Sequence, residues 1–133
     1  MIVPCNRNCM MIIDDERSIL LLFQMILASA LPNLKINLAS NGEEALASFK
    51  KKHHGVFIMD LHMPVMDGQT AFIKIQDFCK EKKWEMPSII FCTGYTTPDF
   101  VTNIVSENPI HCLLLKPVSG ETLVEAVKSR LLL

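Results

Sequence analysis

The sequence predicts an α/β fold in which five helices cover an open, doubly wound sheet of five parallel strands. Short apolar runs alternate with helical patterns along the chain, four of these runs hold almost only apolar residues, and no glycine- or serine-rich linker interrupts them. Continuously apolar strands are typical of parallel sheets, which are buried on both faces. Strands that alternate with helices favour right-handed crossovers within one sheet.

Five segments have the length and composition of strands. Four are apolar runs that we expect to be interior or well covered: Cys9–Ile13, Val56–Met59, Ser88–Cys92 and Cys112–Leu115. The fifth, Leu34–Leu38, alternates apolar and polar residues, as a strand with one wetter face does. We expect it at an edge of the sheet.

Five helical segments follow these strands. They are predicted at Glu16–Ala30, Gly42–Lys52, Gln69–Lys83, Pro98–Ser106 and Gly120–Leu131. In the last, Leu123, Val127 and Leu131 recur every four residues, the spacing of a core-facing stripe. Thr97 is the expected N-cap of the fourth helix, with Pro98 at its first position.

Length and charge restrict the function. A chain of 133 residues supports one compact core, so we expect a single domain over residues 1–133, with residues 1–7 as a loose lead-in and no output domain. The 13 Lys and Arg residues against 14 Asp and Glu residues provide no positive field for nucleic acid. The very apolar run Ile19–Leu27 follows acidic residues and is too short to span a membrane. We expect direct contact with neither nucleic acid nor membrane.

The five cysteines favour a reducing, cytoplasmic setting. Their number is odd, and three lie in apolar runs, where a reduced thiol packs as a small hydrophobe. Cys5 and Cys9 have no further Cys or His pair at ligand spacing in this first stretch, so zinc is not expected there. The basic cluster Lys50–His54 is interpreted as a solvated helix end, since cations are favoured at a helix C-terminus.

Polar residues stand where the predicted strands end. Asp14 and Asp15 follow the first strand, Asp60 the third, Thr93 the fourth and Lys116 the fifth. The functional crevice of an open parallel sheet lies outside the carboxyl ends of its strands. We therefore expect these five side chains to converge in one crevice.

The chemistry of this set indicates magnesium and phosphoryl transfer. Carboxylates held together repel one another, and a hard divalent cation with oxygen ligands relieves the repulsion. Lys116 adds a charge, and Thr93 adds a hydroxyl beside Gly94, which suits transfer to a carboxylate. Each residue also has a plain alternative: Asp14 and Asp15 as helix caps, Lys116 as a surface lysine, Thr93 as a turn residue. No glycine-rich phosphate loop is present, so bound nucleotide is not implied.

Four segments resemble, in order, the receiver domains of two-component signalling. They are Met10–Asp15, Asp60–Gly68, Phe91–Gly94 and Leu115–Pro117, and the segment at Asp60 is highly specific. The resemblance covers nearly the whole chain. It implies a flavodoxin-like sheet with strand order 2-1-3-4-5, the order known for the chemotaxis receiver. That order agrees with an edge position for Leu34–Leu38.

The resemblance also implies the metal ligands and the phosphoryl acceptor. Asp60 would accept the phosphoryl group. Asp15 and Asp60 would bind Mg²⁺ directly, Asp14 largely through water, and the backbone carbonyl of His62 would be a further ligand. The chain would then be a signalling domain rather than an enzyme.

The remaining implied contacts concern the phosphoryl group and the partners. Thr93 and Lys116 would contact the phosphoryl group, assisted by the backbone N–H groups of His62 and Gly94. The donor in this family is a phosphohistidine on a sensor histidine kinase or a phosphotransfer protein. A downstream protein or output domain would bind the face formed by the fourth helix, the fifth strand and the fifth helix.

Three positions bear on how such a domain would switch. Leu113 stands where the family usually has Tyr or Phe, so we expect the signal to leave from the Thr93 loop instead. His62 and Tyr95 occupy positions that tune the phosphoryl lifetime in the family. A solvent-facing His and a partly buried Tyr are the plainer interpretations of these two residues.

Other functions fit the sequence less well. A hydrolase of the haloacid dehalogenase type would need Asp-x-Asp after the first strand and a cap domain, whereas this chain has adjacent Asp14 and Asp15. A pseudo-receiver that only binds proteins would not need the complete acceptor set. A flavodoxin-like cofactor binder would need a Ser/Thr-rich phosphate loop after the first strand.

Overall fold

A computed structural model describes residues 1–94 and 97–131, which form a five-stranded parallel sheet with five helices. The strands are β1 (Asn6–Ile13), β2 (Lys35–Ala39), β3 (His54–Asp60), β4 (Ser88–Thr93) and β5 (Cys112–Leu115). The helices are α1 (Arg17–Ala30), α2 (Gly42–Lys52), α3 (Gly68–Lys82), α4 (Asp99–Glu107) and α5 (Gly120–Leu131). The strand order is β2-β1-β3-β4-β5, so the implied order and the edge position of β2 are confirmed. Within the described residues, no helix is long and apolar enough to cross a membrane.

The core lies on both faces of the sheet, because neighbouring residues of a strand point to opposite sides. Met11 and Phe57 belong to a buried cluster that includes residues of α2, α3 and α4. Met10 and Ile58 belong to a second cluster with α1 and α5. Two covered faces explain why the central strands are continuously apolar.

β5 is not an interior strand, which was the first of the two alternatives, interior or well covered, expected for it. It is the edge strand beside β4, and Leu115 is 64% exposed. The strand is nevertheless apolar because Leu113 packs against one core cluster and Leu114 against the other. An edge strand can therefore have the composition of an interior one when helices cover both of its faces.

The first residues are not a loose lead-in. The Val3 N–H donates to Lys83 O and the Glu85 N–H donates to Val3 O, both at 2.8 Å. Cys5 is buried, and β1 begins at Asn6 rather than Cys9. Backbone pairing with the segment after α3 therefore anchors this part of the chain.

Two further local predictions are corrected. Pro98, not Thr97, is the N-cap of α4, since its ψ of 149° is extended and the helix begins at Asp99. Lys50–Lys52 are exposed as expected, but His53 and His54 are buried. The interpretation as a solvated helix end fails for both histidines, because the ring of His53, the C-cap of α2, stacks on Trp84 and His54 already begins the central strand β3.

Candidate functional site

The carboxyl ends of β1, β3 and β5 bring two acids and a lysine together. Asp14 follows β1, Asp60 ends β3 and Lys116 follows β5. Lys116 Nζ lies 2.8 Å from Asp14 Oδ2 and 3.7 Å from Asp60 Oδ2. Asp14 is only 3% exposed and Asp60 only 6%. Two nearly buried carboxylates thus share one ammonium group.

Asp14 has a structural task beside its place in this site. Its backbone N–H donates to Ala39 O at 3.1 Å, which extends the pairing of β1 with β2 by one residue. Its Oδ1 accepts the Glu16 N–H at 2.9 Å, just before α1 begins. One carboxylate oxygen therefore fixes the turn into the helix, and the other contacts Lys116.

Asp15 completes an acidic cluster that suits a hard cation. One carboxylate oxygen each of Asp14, Asp15 and Asp60 lies within 4.8 Å of the other two. Asp15 is exposed, so the cluster opens to water on its side. Magnesium prefers oxygen ligands and retains several waters, and this donor set with its open side fits that preference.

The charges of the site perturb one another. Burial, and then the charge of Asp14, raise the pKa of Asp60 above its ordinary value, against the opposing effects of Lys116 and the His62 N–H. Burial by itself lowers the pKa of Lys116, but its hydrogen bond to Asp14 and the two carboxylate charges raise that pKa overall. One partly buried lysine, shared by two carboxylates, thus leaves these acids short of positive charge.

The loop after Asp60 is held by two residues to which the sequence analysis gave no role. A Cβ at Gly68 would lie 2.3 Å from Asp60 O, so only glycine fits there. The Gly68 N–H donates to Leu61 O at 3.0 Å. The Asp67 carboxylate accepts the Thr70 N–H at 2.8 Å and caps α3. The Asp-Gly pair directly before a helical pattern was the available signal.

Comparison with known proteins decides the family of this chain. The family model described as the response regulator receiver domain matches residues 10–128. The chain belongs to the response regulator receiver family. Receiver domains accept phosphoryl groups in two-component signalling, and this chain is accordingly a receiver domain of that kind of system.

Relatives place this receiver among longer proteins. It is 39% identical over 84 residues to protein-glutamate methylesterase/protein-glutamine glutaminase 1 of Methanosarcina acetivorans, covering 62% of this chain and 22% of that protein. It is 29% identical over 99 residues to hybrid signal transduction histidine kinase K of Dictyostelium discoideum, covering 71% and 8%. The chain therefore spans less than a quarter of either relative's length.

Solved structures share the receiver fold. The structure of Vibrio cholerae chemotaxis protein CheY4, crystallised at pH 4.0, superposes with a TM-score of 0.72 at 25% identity. The match covers 97% of this chain and 98% of that one. The flavodoxin-like architecture predicted from the sequence is thereby confirmed.

The remaining residues predicted for the receiver site lie around its rim. Thr93 is buried at the end of β4, one residue beyond the register partner of Asp60, and its backbone O accepts the Lys116 N–H at 2.8 Å. His62 is exposed, and its N–H lies 3.4 Å from Asp60 Oδ1. Tyr95 lies outside the described residues. The roles of the Thr93 hydroxyl and the His62 carbonyl remain predictions.

The receiver's fourth helix is weakly anchored. Val101 is its one buried residue, while Ile104 and Val105 are half-buried against the core cluster that Leu113 also contacts. A helix with few buried contacts rearranges at low cost in free energy. That α4 responds to the Thr93 loop stays a prediction.

Proposed function

We propose that this chain is a single receiver domain that accepts a phosphoryl group on Asp60 with Mg²⁺ bound at the acidic cluster. One observation carries the proposal: the buried carboxylates of Asp14 and Asp60 share the single ammonium of Lys116. A charge deficit of this kind favours a bound cation. The family match supports phosphoryl acceptance as the function that this deficit serves.

The metal would be held by the carboxylates of Asp15 and Asp60 and the backbone carbonyl of His62, with Asp14 contributing through water. Bound Mg²⁺ supplies positive charge that offsets the charge developing on the transferring phosphoryl oxygens. The exposure of Asp15 leaves room for the waters that this ion retains. Asp14 is already occupied by Lys116 and the Glu16 N–H, which supports its less direct role.

In the transfer itself, a carboxylate oxygen of Asp60 attacks the phosphorus of a phosphohistidine. A P–O bond forms as the P–N bond breaks, and the donor imidazole leaves with the electron pair and takes up a proton. Lys116 and the Thr93 hydroxyl would contact the phosphoryl oxygens. Thr93 ends β4 and Lys116 follows β5, and both of these strands lie on the same side of β3 in the sheet.

The partners follow from this chemistry. The donor is a sensor histidine kinase or a phosphotransfer protein, and the receiver-containing histidine kinase among the relatives supports that kind of system. The signal leaves through the face of α4, β5 and α5 to a downstream protein or output domain. Five free cysteines, four of them buried, support a reducing cytoplasmic location.

The test is phosphorylation by acetyl phosphate with Mg²⁺, followed by intact-mass measurement. We expect the parent chain to gain one phosphoryl group and the Asp60→Asn variant to gain none. Asp67→Asn is the matched control, because Asp67 is an exposed acid of the same loop that caps α3. Asp67→Asn should be labelled like the parent. Labelling of Asp60→Asn at the parental level would overturn the proposal.

A further inference from the structure

A cavity lies at the amino ends of the strands, away from the acidic cluster. Its volume is about 290 Å³, near the lower limit of roughly 300–1,000 Å³ for small-molecule sites. Its walls come from the N-terminal segment, the end of α3, the segment before β4 and the loop between α4 and β5. It shares no described lining residue with the proposed phosphoryl site.

One part of the cavity is apolar and includes a fixed aromatic ring. Ile2, Cys79, Trp84 and Met86 contribute its apolar lining. The indole of Trp84 stacks on His53, with centroids 4.1 Å apart and planes 19° from parallel. Such a lining suits a ligand with a flat apolar body.

His111 adds a buried polar group to this lining. It is only 3% exposed, and its Nδ1 accepts the Ile89 N–H at 2.9 Å. Burial, and then the charge of Arg130, lower the pKa of His111 to about 4, so the ring is neutral at pH 7. A neutral ring whose Nδ1 accepts carries its hydrogen on Nε2. The described hydrogen bond of the ring is made by Nδ1, and His111 is one of the residues that line the cavity.

The lining is also positively charged. Lys80 and Lys83 line the cavity, together with the amide side chains of Gln76 and Asn108. Its described lining contains no carboxylate. An anion would therefore meet two ammonium groups in addition to the His111 donor.

We propose that this cavity binds a small planar carboxylate with an apolar body, of the size of a one-ring aromatic acid. The ring lies against Trp84 and its apolar neighbours. The carboxylate accepts the hydrogen of His111 Nε2 and is balanced by Lys80 and Lys83. A carboxylate that accepts the Nε2 hydrogen makes a charge-assisted hydrogen bond, so it gains more here than an apolar ligand does.

Benzoate is the probe, with benzamide as a neutral control of nearly the same shape. The full chain is titrated with each, and amide shifts are followed by NMR together with the fluorescence of Trp84, the single tryptophan. We expect benzoate to shift the amides of Lys83, Trp84, Ile89 and His111 and to change the fluorescence. Benzamide should bind about tenfold more weakly, because it carries no charge.

Two variants separate the contributions to binding. His111→Asn keeps a side-chain acceptor for the Ile89 N–H but removes the Nε2 donor, and Lys80→Gln/Lys83→Gln removes the charges. Each should weaken benzoate about tenfold, whereas Lys74→Gln, an exposed lysine of α3 outside the described lining, should not. The lysine double variant should fold like the parent, because both side chains are exposed. The proposal fails if benzoate shifts none of the cavity amides or if benzamide binds equally well. It also fails if the lysine double variant binds benzoate like the parent.

Discussion

The two ends of the sheet hold their charged groups in opposite ways. At the carboxyl end, burial and a neighbouring carboxylate raise the pKa of Asp60, and Lys116 is shared with a second acid. At the amino end, Glu85 accepts hydrogen bonds from both terminal guanidinium nitrogens of Arg7, at 2.8 and 3.1 Å, and from the Cys5 N–H. The hydrogen bond from Arg7 is the main reason why the pKa of Glu85 falls to about 2.

The amino end of the sheet therefore serves mainly stability, and the carboxyl end serves the proposed function. At the amino end, Arg7, Glu85 and the Cys5 N–H satisfy one another and anchor the first residues of the chain to the segment after α3. The acids at the carboxyl end are held close together without enough positive charge. They therefore gain from an added cation, which the amino end has no need of.

The tightest steric constraint lies at the carboxyl end, and it gives the largest expected effect. A Cβ at Gly68 would lie 2.3 Å from Asp60 O, whereas at Gly55, near the amino end, the closest atoms are 3.1 Å away. We expect Gly68→Ala to lower the free energy of unfolding by about 3 kcal/mol or more and Gly55→Ala by about 1 kcal/mol. Urea denaturation measures both. Equal losses would show that the loop after Asp60 relaxes freely.

The second prediction concerns His54, a neutral buried group at the amino end. Burial, followed by the charges of Lys52 and His53, lowers its pKa to about 4, whereas the unfolded chain titrates near 6.5. Its contribution to stability is therefore complete above pH 6.5 and is lost as the pH falls from 6.5 to 4. His54→Gln can still donate to Asn37 Oδ1 but does not titrate.

Between pH 6.5 and 4, the parent should lose up to about 3 kcal/mol more stability than His54→Gln does. Urea denaturation at several pH values measures the difference. Parallel pH profiles for the two proteins would mean that folding does not lower the pKa of His54.

The third prediction compares one acid at each end, without Mg²⁺. Asp60→Asn removes a buried, repelled charge and should raise the free energy of unfolding by about 1 kcal/mol. Glu85→Gln weakens a satisfied ion pair and should lower it by about 1 kcal/mol. Added Mg²⁺ should stabilise the parent but not Asp60→Asn. A loss of stability in both variants would contradict the proposed difference between the ends.

The last prediction concerns backbone strain in the loop after the acceptor. Val65 has a φ of 67°, and the N–H of Met66 donates to the carbonyl O of Pro64 at 2.7 Å. These three residues therefore form a γ-turn of the strained kind. Val65 is also exposed, so glycine there costs no burial. Val65→Gly should stabilise the chain by about 1 kcal/mol. Lys83 is the left-handed C-cap of α3, at the amino end of the sheet. Lys83→Gly should raise the free energy of unfolding by less than Val65→Gly does, because lysine is not β-branched and is less strained in this conformation.

The carboxyl end was largely predictable from the sequence. Parallel strands are buried on both faces, so a polar residue at the end of an apolar run is conspicuous, and Asp14, Asp60 and Lys116 each occupy such a place. The distances were not predictable. Nothing local indicates that Lys116 lies closer to Asp14 than to Asp60, because that depends on how the edge strand β5 is placed.

The amino end was mostly missed, for a physical reason. Its contacts join residues far apart in the chain, such as Cys5 with Glu85 and His53 with Trp84. Periodicity and capping rules describe only near neighbours along the chain. A histidine beside three lysines was therefore interpreted as solvated, although its ring stacks on an indole.

The most direct test of the account is a titration with Mg²⁺ and beryllofluoride, followed by amide NMR. Beryllofluoride stands in for the phosphoryl group. We predict that beryllofluoride, only when Mg²⁺ is present, causes large shifts at Asp14, Asp60, Gly94 and Lys116 beyond those that Mg²⁺ alone causes. These shifts should be absent in Asp60→Asn, while the amide of Glu85 stays in place. Equal shifts in Asp60→Asn, or shifts confined to the amino end, would contradict the claim that the carboxyl end is the phosphoryl site.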